Sequence, residues 1–123
     1  MSKAYDFLRE CGAFFVLTMN GDYPAGKPFG VVVEVDEDLY IATNDRNQVH
    51  KQLREHQQIQ IVAKKSESRD WIRITGLATE CKNDYVIKKM IDEFEVMKRK
   101  YGSGDIEHLL IFKVTVENVE FNS

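Results

Sequence analysis

Between Gly26 and Arg54 the chain gathers the groups that a phosphate ester and a flat ring require. Thr43, Asn44, Gln48, Lys51 and Gln52 supply a hydroxyl, three side-chain amides and an ammonium. The pattern around them predicts a short helix after Thr43-Asn44, and the first N–H groups of a helix have no partner within it. Together they favour a dianion at that end. A second set, Lys27, Pro28, Phe29, Gly30 and Val31, is apolar and extended, and Pro28 contributes no donor to a sheet. That leaves backbone free beside Phe29-Gly30, a surface suited to a planar group. Lys27, which precedes a proline, is held extended; its ammonium reaches over a ring or into water.

Other chemistry finds little support. Gly21 to Lys27 matches the first seven positions of a Walker A pattern, yet Pro28 stands where a hydroxyl must reach magnesium, and a strand follows instead of a helix. His50, His56 and His108 share no metal-ligand spacing, so no metal site is expected. No Gly-x-Ser-x-Gly or comparable nucleophile setting occurs. Cys11 and Cys81 lie far apart and read as free thiols of a reducing cytoplasm. Chemistry, if present, must come from a cofactor.

The elements that position these residues follow from period and punctuation. Ser2 caps a first helix with Ala4, Phe7, Leu8 and Cys11 inward, stopped at Gly12. Ala13 to Met19 reads as a strand buried on both faces, and Asn20-Gly21 as a hairpin turn. A second strand carries Pro24 and Pro28 near its start and continues through Val31, Val32, Val33 and Val35. Asp36-Glu37-Asp38 turns it into a third, Leu39 to Thr43. The short helix is capped by Asn44 or Asn47, with Val49, Gln52 and Leu53 inward. Ile59 to Ala63 forms a fourth strand and Trp71 to Thr79 a fifth, bent at Gly76. Asn83 caps a longer helix to about Lys100, with Val86, Ile87, Met90, Ile91, Phe94 and Met97 on one stripe. Gly102-Ser103-Gly104 ends it. A last strand runs from Leu109 to Val119, leaving Phe121-Asn122-Ser123 as a frayed end. Six strands in meander order, interrupted by short helices, predict a mainly β fold: a small antiparallel barrel with α-helices.

Length and charge narrow the partners. The 123 residues suit one domain, 1–123, with one core and little room for a deep private pocket, so a site shared between two copies is expected. Seventeen Lys and Arg against twenty Asp and Glu give a net charge of −3, which argues against a nucleic-acid partner. Neither a signal peptide nor an apolar run long enough for a membrane span is present, and a cytoplasmic protein is expected. Trp71, set among Arg69, Asp70 and Arg73, is unusual for an ordinary core residue and suits an interface. Arg73 calls for an anionic partner, such as a carboxylate across an interface.

In order and spacing, five segments resemble one family: Gly12-Ala13-Phe14-Phe15-Val16-Leu17-Thr18, Lys27-Pro28-Phe29-Gly30, Tyr40-Ile41-Ala42-Thr43-Asn44, Val49-His50-Lys51-Gln52-Leu53 and Trp71-Ile72-Arg73-Ile74-Thr75-Gly76. They are similar to the small pyridoxamine 5′-phosphate oxidase-like proteins, FMN-binding split barrels that include nitroimidazole-resistance-type reductases. The resemblance implies a six-stranded antiparallel split β-barrel and a homodimer with two FMN sites, each touched by both chains. Lys27 through Val31 would flank the isoalloxazine, Ala42, Thr43 and Asn44 the ribityl and phosphate end. Gln48, Lys51 and Gln52 would hold the phosphate, and Trp71 would arrive from the second chain. The oxidase's Arg-Lys pair is replaced by Gln48 and Val49, and its terminal Trp-Arg clamp is missing, which argues against vitamin B6 oxidation. The implied activity is an FMN-dependent oxidoreductase moving electrons from a small-molecule donor, such as a nicotinamide, to a nitroaromatic or quinone-like acceptor stacked near Phe29, Trp71 and Tyr23. A flavin-binding sensor or carrier is the alternative; the family also holds haem and deazaflavin binders.

Overall fold

A computed structural model describes residues 2–123. The elements are α1 (Lys3–Cys11), β1 (Phe14–Asn20), β2 (Tyr23–Phe29), β3 (Val32–Val35), β4 (Asp38–Asn44), α2 (Val49–Glu55), β5 (Gln58–Lys64), β6 (Trp71–Cys81), α3 (Asp84–Glu93), α4 (Glu95–Tyr101) and β7 (Leu109–Asn122). Local signals place many of the boundaries. The Ser2 hydroxyl accepts the Tyr5 N–H at 3.1 Å, Gly12 leaves α1 at φ 80°, and the Asn83 side chain accepts the Val86 N–H to start α3.

Seven strands, not six, form a single antiparallel sheet in the order β2-β1-β5-β6-β7-β4-β3. The order is not a meander: the C-terminal β7 inserts between β6 and β4, and β2 and β3 remain as unpaired edges. The extra strand comes from the expected run Pro24 to Val35, which breaks at Gly30-Val31 into β2 and β3. The reason lies in the core. Phe29 packs into one cluster with Leu8, Phe14, Ile61, Ile74 and Phe112. Val31 packs into another with Val33, Tyr40, Met90, Met97 and Ile111, under α3 and α4. A continuous strand cannot send both side chains to opposite sides of the molecule two residues apart, since residues i and i+2 share a face.

Four further expectations change. β1 is not buried on both faces: Phe14, Val16 and Thr18 point inward, whereas Phe15 is 52% exposed and Leu17 and Met19 are half-buried. The expected helix from Asn83 to Lys100 is two helices, because Phe94 takes an extended conformation (φ −123°, ψ 119°), its ring 4.5 Å beneath the Arg9 guanidinium. The end of the chain is paired, not frayed, with Phe121 opposite Ile72 and Asn122 opposite Trp71. Arg73 finds its carboxylate within the chain, at Glu120, 3.2 Å away.

Gly76 marks the register shift between β6 and β7, as its expected bend required. A Cβ there would run into the Thr115 carbonyl, whose carbon would lie 3.2 Å away. At the β3–β4 hairpin the two loop residues, Asp36 and Glu37, both have positive φ (52° and 72°). A two-residue turn of this hand normally takes Asn-Gly, so the pair stores strain of about 1–2 kcal/mol per residue.

Candidate functional site

Because the chain changes cores at Gly30, a gap opens between the end of β2 and the end of β4. Eight of the expected contact residues meet there: Lys27 through Val31 and Ala42 through Asn44 line one cleft of about 310 Å³. Gly30 is exposed, and a Cβ added to it would meet nothing within 4 Å. Gly30 and Val31 are the two residues between β2 and β3. Both lie outside the strands. Gly30 therefore presents open space at the end of β2.

The facing wall is α4. Val96, Met97, Lys100 and Tyr101 line the cleft from that side, with Leu109 from the start of β7. These residues were not expected. The available signal was that Val96 is large and falls off the inward stripe of the helix, while Tyr101 continues that stripe four residues past Met97. Burial pushes the Tyr101 hydroxyl above its ordinary pKa, against the pull of Arg46, so it stays protonated and able to donate.

The β4–α2 loop is fixed by its own side chains. The Asn47 amide donates to the Thr43 hydroxyl at 2.9 Å, and its side-chain oxygen accepts the Val49 N–H at 3.2 Å, but the residue at the start of α2 is Gln48, which makes no side-chain cap. Buried His50 holds the Asn47 backbone carbonyl through Nδ1 at 2.6 Å. Asn44 does not cap the helix; it accepts the Arg46 N–H at 2.9 Å.

Two hollows continue the cleft. One, of about 440 Å³, holds Gln48 and Gln52 and shares Lys27 and Asn47 with it. The other, of about 300 Å³, holds Arg46, Asp105 and His108 and shares Asn44, Lys100 and Tyr101. Lys51 is exposed on α2 and lines none of the three. Trp71 is also outside them, half-buried on β6, with the Arg73 guanidinium 5.0 Å from its ring centre. Tyr23 is 78% exposed at the β1–β2 turn. Of the twelve expected contacts, eight share the cleft and Gln48 and Gln52 adjoin it. Lys51 and Trp71 stand apart from it within one chain.

With this geometry in place, sequence comparison is decisive: a family model described as pyridoxamine 5′-phosphate oxidase matches residues 2–123. The chain belongs to that family. No curated protein matches it in sequence. Among solved structures, a NimC/NimA family protein from Clostridium acetobutylicum is 28% identical, with a TM-score of 0.88 over 98% of this chain and 86% of that one. A pyridoxamine 5′-phosphate oxidase-related, FMN-binding protein from Nostoc punctiforme shares the fold at 13% identity (TM-score 0.74; 96% and 80% covered). So does HutZ, a haem storage protein from Vibrio cholerae, at 16% identity (TM-score 0.77; 96% and 91% covered). Within this family member, no helix of the described residues is long and apolar enough to cross a membrane.

Proposed function

We propose that this family member binds FMN in the cleft between β2, β4 and α4 and acts as an oxidoreductase, taking electrons from a nicotinamide and reducing a small nitroaromatic or quinone-like acceptor. The observation that carries this reading is the open space over exposed Gly30, walled on its far side by the side chains of α4. A planar ring there gains contact on both faces and can accept backbone hydrogen bonds. Thr43, Asn47, Gln48 and Gln52 suit the phosphate end, and Lys27 is the cation that reaches both the cleft and the hollow beside α2. Lys51 would join them only from the outer side of α2.

Bound FMN supplies the hydride chemistry in its own ring; the protein binds, orients and shields it. That matches a cleft whose ionisable groups are two lysines and a protonated tyrosine. The family match and the FMN-binding neighbour support the flavin part of this reading.

The reading includes a homodimer. Cross-strand neighbours share a face, so the registers Phe15 with Pro28 and Val62, and Val62 with Arg73, place these residues on one side of the sheet, with Trp71 two residues along. No helix covers this side, Phe15 is half-exposed, and exposed Pro28 also lines the cleft. A second copy seated on it would bring its own residues, Trp71 among them, towards the first copy's cofactor. An absorbance spectrum of the purified protein incubated with FMN and gel-filtered tests the reading. Flavin bands at one equivalent per chain support it; a colourless protein, or the intense band of a haem, refutes it.

A further inference from the structure

Eleven of the seventeen lysines and arginines, Arg46 and Lys100 among them, are absent from the ion pairs of the described residues, in a chain whose net charge is −3. Arg46 and Lys100 converge on one place: the hollow of about 300 Å³ that opens from the cleft past Asn44 and Tyr101. If FMN lies as proposed above, with its phosphate towards Gln48 and Gln52, this hollow shares no lining residue with that one and stays open to a second molecule.

We propose that this hollow binds the anionic group of the reaction's acceptor, so that the preferred substrate is a small aromatic carrying a carboxylate; the proposal rests on the FMN reading for its place in catalysis. The hollow is built, not incidental. The Arg46 N–H is held by the Asn44 side chain at 2.9 Å, and the next residue back, Asp45, donates its N–H to the His108 carbonyl at 3.1 Å. Asp45 is further engaged by the His108 ring, Nδ1 to Oδ1 2.9 Å. The base of the Arg46 side chain is therefore anchored from both sides. Tyr101, protonated, adds a donor. Against an anion stand Asp105, which lines the same hollow, and the carbonyl end of α4. Asp45 counts for less because His108 faces it. Two unpaired cations and a hydroxyl donor outweigh one free carboxylate, and the guanidinium geometry matches a carboxylate in a bidentate pair.

The test uses benzoate against benzyl alcohol, which share a ring and differ in charge and are not reduced. Titrations followed by calorimetry and by amide shifts of Arg46, Tyr101 and His108 are run on the protein with and without FMN. Benzoate is expected to bind at least about tenfold more tightly than benzyl alcohol at low salt, the scale of one charge-assisted bond. R46Q is expected to abolish that preference while FMN uptake stays within about twofold. Equal affinity for the two ligands, or an R46Q protein that keeps the preference, overturns the proposal. So does an R46Q protein that loses FMN together with benzoate, for the hollow would then be the cofactor's own phosphate seat. Failure to take up FMN refutes the flavin reading alone, since the benzoate preference of the FMN-free protein decides this one separately.

Discussion

Gly30→Val fills the space in which the ring is placed while leaving the rest of the molecule alone. Gly30 has no left-handed φ, and a Cβ there would touch nothing within 4 Å, so the isopropyl group enters open space. Folding stability should hold or rise slightly, by up to about 1 kcal/mol, because a glycine's freedom is removed from the unfolded chain. The ligand suffers instead. A buried aromatic system of this size removes on the order of 150–250 Å² from water, worth about 4–6 kcal/mol at roughly 25 cal/mol per Å². A side chain between ring and backbone forfeits contact over one face, about half of that. The expected loss is about 2–3 kcal/mol, or roughly 30- to 150-fold in Kd. Quenching of FMN fluorescence gives the affinity, and a circular-dichroism melt gives the stability. Affinity within about threefold of the parent, in a protein that melts at the parent's temperature, refutes the placement of the ring over Gly30.

Lys27→Ala should weaken FMN by about 1.5–3 kcal/mol but leave riboflavin, which lacks the phosphate, unaffected; equal losses for both ligands would assign Lys27 to the ring instead. Lys51→Ala, on the exposed side of α2, should cost FMN less than Lys27→Ala in the same titration. Gly76→Ala should destabilise by about 1–3 kcal/mol or more, since its methyl meets the Thr115 carbonyl, which cannot move without breaking the β6–β7 ladder; a denaturant titration measures it. Glu37→Gly should stabilise by about 0.5–1 kcal/mol in the same assay by relieving a positive φ of 72°. Phe15→Asp should give a monomer by sedimentation and lose FMN with it; a stable dimer would move the interface elsewhere.

Features set by a few neighbouring residues were legible in the sequence. Ser2, Gly12, Asn20-Gly21 and Asn83 each mark their boundary by side-chain capping or turn preference, and the structure keeps all four. Features decided by distant packing were not. The run from Pro24 to Val35 reads as uninterrupted strand, and only the position of two separate cores explains why it divides at Gly30-Val31. Phe94 continues the stripe of Met90 and Met97, and nothing local announces that α3 and α4 part there; Arg9, from the other end of the chain, covers the ring. The site was legible where its residues sit on strands. It blurred on the loop, where a helix expected after Asn44 or Asn47 begins at Val49, with Lys51 exposed on it. The α4 wall was missed because its contact with the cleft depends on that same break.

Pro28 belongs to two surfaces at once, and this couples them. It is opposite Phe15 on the uncovered face of the sheet and lines the cleft as well. A copy that covers Phe15 must also close one side of the space over Gly30, and a ring in that space presents apolar area to the copy. On the proposed reading, binding of FMN and of the second chain should therefore strengthen each other by the same free energy in either order, as linkage requires. Ligand at a hundred times its Kd adds about 2.7 kcal/mol to the state that binds it. If only the dimer binds, stripping FMN should raise the dimer dissociation constant by about a hundredfold per site relative to the saturated protein. Sedimentation at matched concentrations, with and without FMN, measures that difference directly. A dimer of equal strength in both conditions would mean that each cleft is complete within its own chain, with Trp71 playing no part in it.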